Sequence, residues 1–154
     1  MDTGNDINIR IMSEEDLNWV SEVESRCFPD PWLKEAFEAE INQNDFSKPI
    51  VALFEDRRVG YAVPRYIADE LEITNLAVDP DYRRMNVGSI MMGRILSDSE
   101  KRDVKYGYLK VRVGNRAAIK LYEKFGFNEV GLRKNYYSGI NPDAIIMMKN
   151  FSKD

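Results

Sequence analysis

The spacing of apolar residues changes period several times along the chain, and each change marks an element. Ile7–Ile11 alternates apolar and polar positions, the two-residue period of a short strand. At Ser13 the period lengthens. The run S-E-E-D offers an N-cap and an acidic first turn, and Leu17, Val20 and Val23 then recur at helical spacing, which predicts a helix ending around Cys27. Phe28-Pro29-Asp30-Pro31-Trp32 cannot continue it, because two prolines remove donors and push the residues before them out of helical geometry. A second helix is expected from near Pro31 to about Ile41, with Trp32, Ala36 and Phe37 on its apolar face.

Ile50–Phe54 and residues 59–66 are rich in strand-forming residues and are separated by Glu55-Asp56-Arg57-Arg58, the spacing of a hairpin. Pro64 marks the second run as an edge or a bulge. Residues 71–78 form the next strand, closed by Asp79-Pro80-Asp81. A helix follows Gly88, carried by Ile90, Met91, Ile95 and Leu96, and is expected to fade in the charged stretch 97–105. Residues 108–113 alternate as a strand, Asn115 caps a helix that runs through Phe125, and Gly126 stops it. Residues 127–133 and 144–149 read as two last strands. Their loop holds Asn135-Tyr136-Tyr137, Gly139 and Pro142. The resulting order, β-α-α-β-β-β-α-β-α-β-β, mixes hairpins with helical crossovers and points to α+β rather than to a doubly wound parallel sheet.

Composition narrows the chemistry. The chain has 154 residues, the size of one ordinary domain, with 44% hydrophobic and 31% charged residues, and no run approaches the roughly 18 apolar residues of a membrane span. Residues 1–10 are polar, so neither a signal peptide nor a membrane partner is expected, and the cytoplasm is the expected compartment. One cysteine, Cys27, excludes an internal disulfide. The absence of histidine removes the commonest metal ligand and the commonest general base, so no metal is expected and reaction chemistry must rest on Glu, Asp, Tyr, Lys or Cys. A net charge of -4 argues against direct nucleic-acid binding but leaves room for a local basic patch. Such a patch exists: Arg83 and Arg84 precede Gly88 where a loop opens into a helix, and freed N–H groups there would favour the phosphates of a ligand.

Two motifs then carry a resemblance that covers nearly the whole chain. Leu76-Ala77-Val78-Asp79-Pro80-Asp81-Tyr82-Arg83-Arg84-Met85-Asn86-Val87-Gly88-Ser89 resembles the acyl-CoA signature of the GNAT acetyltransferases. Asn115-Arg116-Ala117-Ala118-Ile119-Lys120-Leu121-Tyr122-Glu123-Lys124-Phe125-Gly126-Phe127 resembles their Asn-x-x-Ala-x-x-x-Tyr-x-x-x-Gly-Phe helix. Within that family, Phe28-Pro29-x-x-Trp32 and Arg133-Lys134-Asn135-Tyr136-Tyr137 look like the protein N-terminal (α-amine) acetyltransferases of the ribosomal-protein-alanine type and their archaeal relatives. The implied architecture is a single domain over 1–154, a mixed sheet of about seven strands flanked by about four helices.

The resemblance implies acetyl-CoA as cofactor and protein or peptide N-termini as substrate, with a ribosome or auxiliary subunit as a further partner. It implies cofactor contacts from the strand backbone at Leu76, Ala77 and Val78, from the loop Arg83, Arg84, Met85, Asn86, Val87, Gly88 and Ser89, and from Asn115, Ala118, Tyr122 and Lys124, with Arg84 as the main charge partner. Tyr122 is expected to protonate the departing thiolate. Phe28, Pro29 and Trp32 are expected to wall the peptide slot on one side, with Tyr136 and Tyr137 on the other. Attack by an amine needs a base. Glu70 and Glu72 share one strand face, and Glu72 is the expected base, with Asp30 as the alternative; the oxyanion donor is expected at Ala77 or Val78. Two positions depart from the pattern. Asn86 replaces the first loop glycine, which it can do because Asn tolerates positive φ. Lys110 stands where relatives often carry Glu or His, and an ordinary lysine is a poor base at neutral pH. An acyl-cysteine at Cys27 would lack an activating histidine. A polyamine or other small-amine acetyltransferase and a catalytically idle acyl-CoA-binding subunit are the competing expectations.

Overall fold

The structure is a computed structural model that describes residues 6–151. Residues 1–5 of the polar N-terminal stretch and 152–154 of the expected 1–154 domain lie outside the described residues. In chain order the elements are β1 (Ile7–Ile11), a 3-10 turn (Glu14–Asp16), α1 (Leu17–Cys27), α2 (Lys34–Asn42), β2 (Ile50–Phe54), β3 (Arg57–Ile67) and β4 (Glu70–Val78). A 3-10 segment (Pro80–Met85), α3 (Val87–Lys101), β5 (Tyr106–Arg112), α4 (Arg116–Lys124), β6 (Asn128–Arg133) and β7 (Ala144–Asn150) follow. Among the described residues the seven strands form one sheet in the order β1-β2-β3-β4-β5-β7-β6. Every pair is antiparallel except β4–β5. This is the mixed α+β sheet that the element order implies.

Each sheet face carries its own apolar layer. On one face, Leu17, Val20 and Val23 of α1 and Phe37 of α2 pack on Tyr61, Val63 and Ala77. On the other, Met91, Met92 and Ile95 of α3 join Tyr122 and Phe127 over Leu71, Ile73 and Leu109. β4 serves both layers because it contains a bulge. The β3–β4 register runs from Val63↔Asn75 directly to Pro64↔Ile73, leaving Thr74 without a partner residue. One extra residue inverts the alternation. Leu71 and Ile73 therefore face α3, whereas Asn75 and Ala77 face α1. The Thr74 hydroxyl bridges the irregularity by donating to the Val63 carbonyl at 2.7 Å.

The bulge has a second consequence. β4 and β5 pair only from Glu70↔Tyr106 to Ile73↔Leu109, and beyond that point the parallel strands separate. Pro64 is the bulge position expected, but β3 is an interior strand, not an edge. Three boundaries also move. α2 begins at Lys34 rather than near Pro31, because Leu33 is extended and the Trp32 N–H is taken by a side chain of α1. α3 runs on through the charged stretch to Lys101, where Ser99 is fully buried and bonds back to the Ile95 carbonyl. β5 starts at Tyr106 instead of at 108.

Candidate active site

The separation of β4 from β5 opens a cleft of about 650 Å³, within the usual range for a small-molecule site. Its β4 wall has a free peptide edge whose phase is fixed by the ladder. Asp79 N–H donates to the Val59 carbonyl at 2.8 Å, so by antiparallel alternation Ala77 exchanges bonds with Tyr61. Leu76 and Val78 instead turn their N–H and C=O groups away from β3, into the cleft. The Cys27 thiol, which reaches the Val78 carbonyl at 3.6 Å, marks that direction. Of the two oxyanion donors expected, Val78 has the available N–H; Ala77 has spent its own on the sheet.

At one end of the cleft α3 begins. Asn86 adopts the left-handed conformation, φ 59° and ψ 26°, as the missing loop glycine requires. The first helical bond runs from Ile90 N–H to the Asn86 carbonyl, so the N–H groups of the preceding turn remain for a ligand. Gly88 lies close to α4: a Cβ there would sit 3.1 Å from Leu121 Cδ2. Arg83, not Arg84, lines the cleft, its Nη2 lying 3.6 Å from Cys27 Sγ. Arg84 is exposed outside the lining, as is Met85 in part, while Val87 is buried under the sheet. Lys124 also stays outside and bonds Ser89 Oγ at 3.1 Å, tying α4 to the first turn of α3.

α4 supplies the opposite wall. Asn115 caps it through a bond from Ala118 N–H at 3.2 Å, and Gly126, with φ 94°, ends it. Asn115, Ala118 and Tyr122 all line the cleft. Tyr122 is 6% exposed and stacks edge-on against Phe127; burial first, and then the nearby Tyr137, push its phenol well above the ordinary range. The Tyr137 phenol is pushed up to about 12, chiefly by burial and then by Tyr136, with Asp30 adding to the effect. Both phenols keep their protons across the neutral range.

The other end of the cleft is the slot between the α1–α2 turn and the β6–β7 loop. Phe28, Pro29, Asp30 and Trp32 form one side and Tyr137 the other. Asp30 Oδ2 accepts from Ser138 N–H at 3.2 Å, so the two walls touch. Trp32 also packs on Phe37, ring centroids 5.1 Å apart, and so belongs to slot and core together. Tyr136 is 45% exposed and lies outside the lining, stacked edge-on against Tyr137.

Glu72, the expected base, lies outside the cleft lining. It lies in the paired part of β4, opposite Tyr108, and the cleft lining begins only at Ile73. Its carboxylate faces Arg65 at 3.8 Å, and Arg65 in turn holds Glu40 of α2 through bonds of 2.8 and 2.7 Å. In this structure Glu72 takes part in a charge network across the sheet. Its strand neighbour on that face, Glu70, is exposed.

Three residues that sequence reasoning passed over hold the site together. Glu24, 1% exposed, lines the cleft and accepts from Tyr61 OH at 2.6 Å, Asn75 Nδ2 at 2.9 Å and Trp32 N–H at 3.0 Å. Burial raises its pKa, with those bonds opposing. A carboxylate four residues after Val20 on the apolar stripe of α1 was the available signal. Asn75 is aimed at it only because of the Thr74 bulge. Arg112 Nη1 donates to the carbonyls of Ser138, Ile140 and Asn141 at 2.9, 3.1 and 3.2 Å and holds the slot loop.

The chain matches the model of the acetyltransferase (GNAT) family over residues 18–127. It is 36% identical over 141 residues to a [ribosomal protein bS18]-alanine N-acetyltransferase of Salmonella typhimurium, covering 90% of this chain and 94% of that one. The crystal structure of the ribosomal-protein-S18-alanine N-acetyltransferase from Escherichia coli superposes with a TM-score of 0.86 at 33% identity, covering 96% of both chains. Arabidopsis thaliana Naa50, solved with the bisubstrate analogue CoA-Ac-MVNAL, superposes with a TM-score of 0.81 at 26% identity, covering 95% of this chain and 99% of that one.

Proposed function

The chain belongs to the GNAT acetyltransferase family, and from that premise we propose that it moves the acetyl group of acetyl-CoA to the α-amine of protein N-termini by direct attack in a ternary complex. The observation that carries this reading is the cleft itself. It joins a set of phosphate-type donors at the start of α3 to a slot lined by aromatic side chains, with a free strand edge between them. We read residues 1–154 as one catalytic domain, since the helices and loops that wall the cleft are all joined to one sheet.

When bound, acetyl-CoA supplies an acyl thioester. The residues that fit it are the backbone of Leu76 and Val78 for a strand-like arm, Arg83 and the N–H groups of Val87, Gly88 and Ser89 for its phosphates, and Asn115 and Ala118 for the opposite side. The free N–H of Val78 would stabilise negative charge on the carbonyl oxygen of a bound thioester. Tyr122, which lines the cleft, would donate a hydrogen bond to the leaving sulfur of the bound thioester. Its raised pKa keeps it protonated but also makes full transfer to a thiolate, ordinarily near pKa ~8.5, uphill, so the bond itself is the contribution. Cys27 is no acyl carrier: burial raises its thiol and it donates to Val78.

The attacking amine must be neutral. An α-amine has a pKa of roughly 7.7–8.0, so little assistance is needed near neutrality. Asp30, exposed in the slot, is the carboxylate that takes the proton through water. Glu24 has three donors on it and serves as the anchor of the α1–α2 turn. Relatives named as [ribosomal protein bS18]-alanine N-acetyltransferases support ribosomal-protein N-termini that begin with alanine as the first substrates to test, and we read the cytoplasm as the setting; no helix among the described residues is long and apolar enough to cross a membrane.

The test is incubation with acetyl-CoA and a panel of peptides with different first residues, beside spermidine and other small amines, with the products located by tandem mass spectrometry. Acetyl on peptide α-amines is expected. Transfer to small amines alone would favour the small-molecule reading, and cofactor binding without any turnover would favour the idle subunit.

A further inference from the structure

Lys110 is the unexplained charge of the site. It lies on β5 just past the point where β4 departs, on the sheet face that carries Tyr108 and Arg112, and it lines the cleft. Its ammonium sits 5.9 Å from the Tyr108 ring centroid and 5.5 Å from that of Tyr136. No carboxylate lies within ion-pair distance of it among the described residues. Of the acids nearby, Glu72 faces Arg65, Glu24 is buried under three donors and Asp30 accepts from Ser138 N–H, while the exposed Glu70 lies two residues further along β4, away from the cleft. The surrounding cations reinforce it. Arg112 lies over Tyr137 at 4.6 Å and Arg133 over Tyr136 at 5.1 Å, so a protein of net charge -4 presents a positive strip along one side of its slot. The phosphate donors of α3 stand at the opposite end of the cleft, leaving this cation facing the acceptor rather than the cofactor.

We infer that Lys110 is a specificity-determining residue that selects acceptors with an acidic side chain at the second or third position of the peptide. The inference rests on the α-amine reading above. An extended peptide places successive residues roughly 3.3 Å apart, so a carboxylate two residues into the slot is within reach of a lysine ammonium on its floor. The two aromatic rings hold the ammonium without neutralising it, a cation–π arrangement that leaves its charge for a ligand. Because the site is half-open to water, the preference is expected to be modest and to shrink with salt.

The experiment compares Ala-Glu-Glu-, Ala-Ala-Ala- and Ala-Lys-Lys- peptides of otherwise equal sequence, by kcat/KM and by fluorescence anisotropy of binding in the presence of CoA. The wild-type protein should prefer the acidic over the neutral peptide by roughly fivefold, and over the basic one by more. K110R should keep the order, K110M should flatten it, and K110E should reverse it. Equal kcat/KM for the three peptides, or an unchanged order in K110M and K110E, overturns the inference while leaving α-amine transfer intact. Charge-ordered binding that K110M abolishes, without acetylation, supports Lys110 as the reader and overturns the transfer reading. Absence of both binding and acetylation overturns both.

Discussion

At the scale of single residues the site divides into groups that face the reacting atoms and groups that hold those in place. Tyr122→Phe removes the hydrogen bond to the leaving sulfur but keeps the ring against Phe127; stopped assays should show kcat reduced by about 10- to 100-fold with CoA affinity little changed. Glu72→Gln should retain nearly full kcat, since its carboxylate answers to Arg65 outside the cleft. Glu24→Ala leaves Tyr61 OH, Asn75 Nδ2 and Trp32 N–H without their acceptor, and urea unfolding should register a loss of about 2–4 kcal/mol. The raised pKa of Glu24 means the folded state favours its protonated form. That term costs stability as pH rises above its ordinary 4.5, and Glu24→Gln should lessen the cost. Tyr122 and Tyr137 both titrate high, so kcat/KM should rise through the α-amine pKa and show no fall from either phenol below pH 10.

At the scale of elements the same sequence signals succeed or fail for local reasons. The fully buried Asp16 caps the turn before α1 by accepting from Ser13 N–H at 2.8 Å and pairs with Arg10 at 2.7 Å and Arg58 at 2.6 Å. Burial pushes it up, but these partners outweigh burial and hold it well below the carboxylate range. Its stabilisation is therefore complete above the ordinary value of 3.8 and is lost as pH falls below it. Asp16→Asn should cost about 2 kcal/mol near pH 7, and the gap from wild type should close on acidification, as measured by denaturant melts across pH. The β2–β3 turn shows the opposite economy: Glu55 and Asp56 both sit at positive φ, 50° and 65°, a geometry suited to Asn-Gly. That replacement should stabilise the fold by about 0.5–1 kcal/mol. Caps and periodicity made α1, α4 and the strands legible, because those signals are local. The bulge at Thr74 was not legible, because it depends on a register mismatch with β3 that no spacing within β4 encodes. Arg84 was expected as the main charge partner, but the 3-10 segment turns its neighbour Arg83 to the cleft, a choice that adjacent positions in sequence do not encode.

At the scale of the molecule, one irregularity organises function. The Thr74 bulge ends β4–β5 pairing, the unpaired edge becomes a cleft wall, and α3 and α4 close on it from the two strands' own C-terminal ends. The fold class was readable from motifs at fixed spacing, and of the residues those motifs singled out the structure brings Arg83, Gly88, Asn115, Tyr122, Phe28, Trp32 and Tyr137 to one cleft but leaves Arg84, Lys124 and Tyr136 outside it. Glu72 was expected as base from its place on β4, which alone does not show that its side chain turns to Arg65; Glu24 and Arg112 were missed because charges on a helix stripe or an alternating strand look solvated until tertiary packing covers them. The central claim is transfer to an α-amine, and one peptide pair addresses it: two chains of identical sequence containing an internal lysine, one with a free N-terminus and one with that terminus blocked, each incubated with acetyl-CoA and mapped by tandem mass spectrometry. A single acetyl group is expected on the α-nitrogen of the free peptide and none on the blocked one. Acetylation of the blocked peptide's lysine at a comparable rate, or a free peptide modified only on lysine, would contradict it.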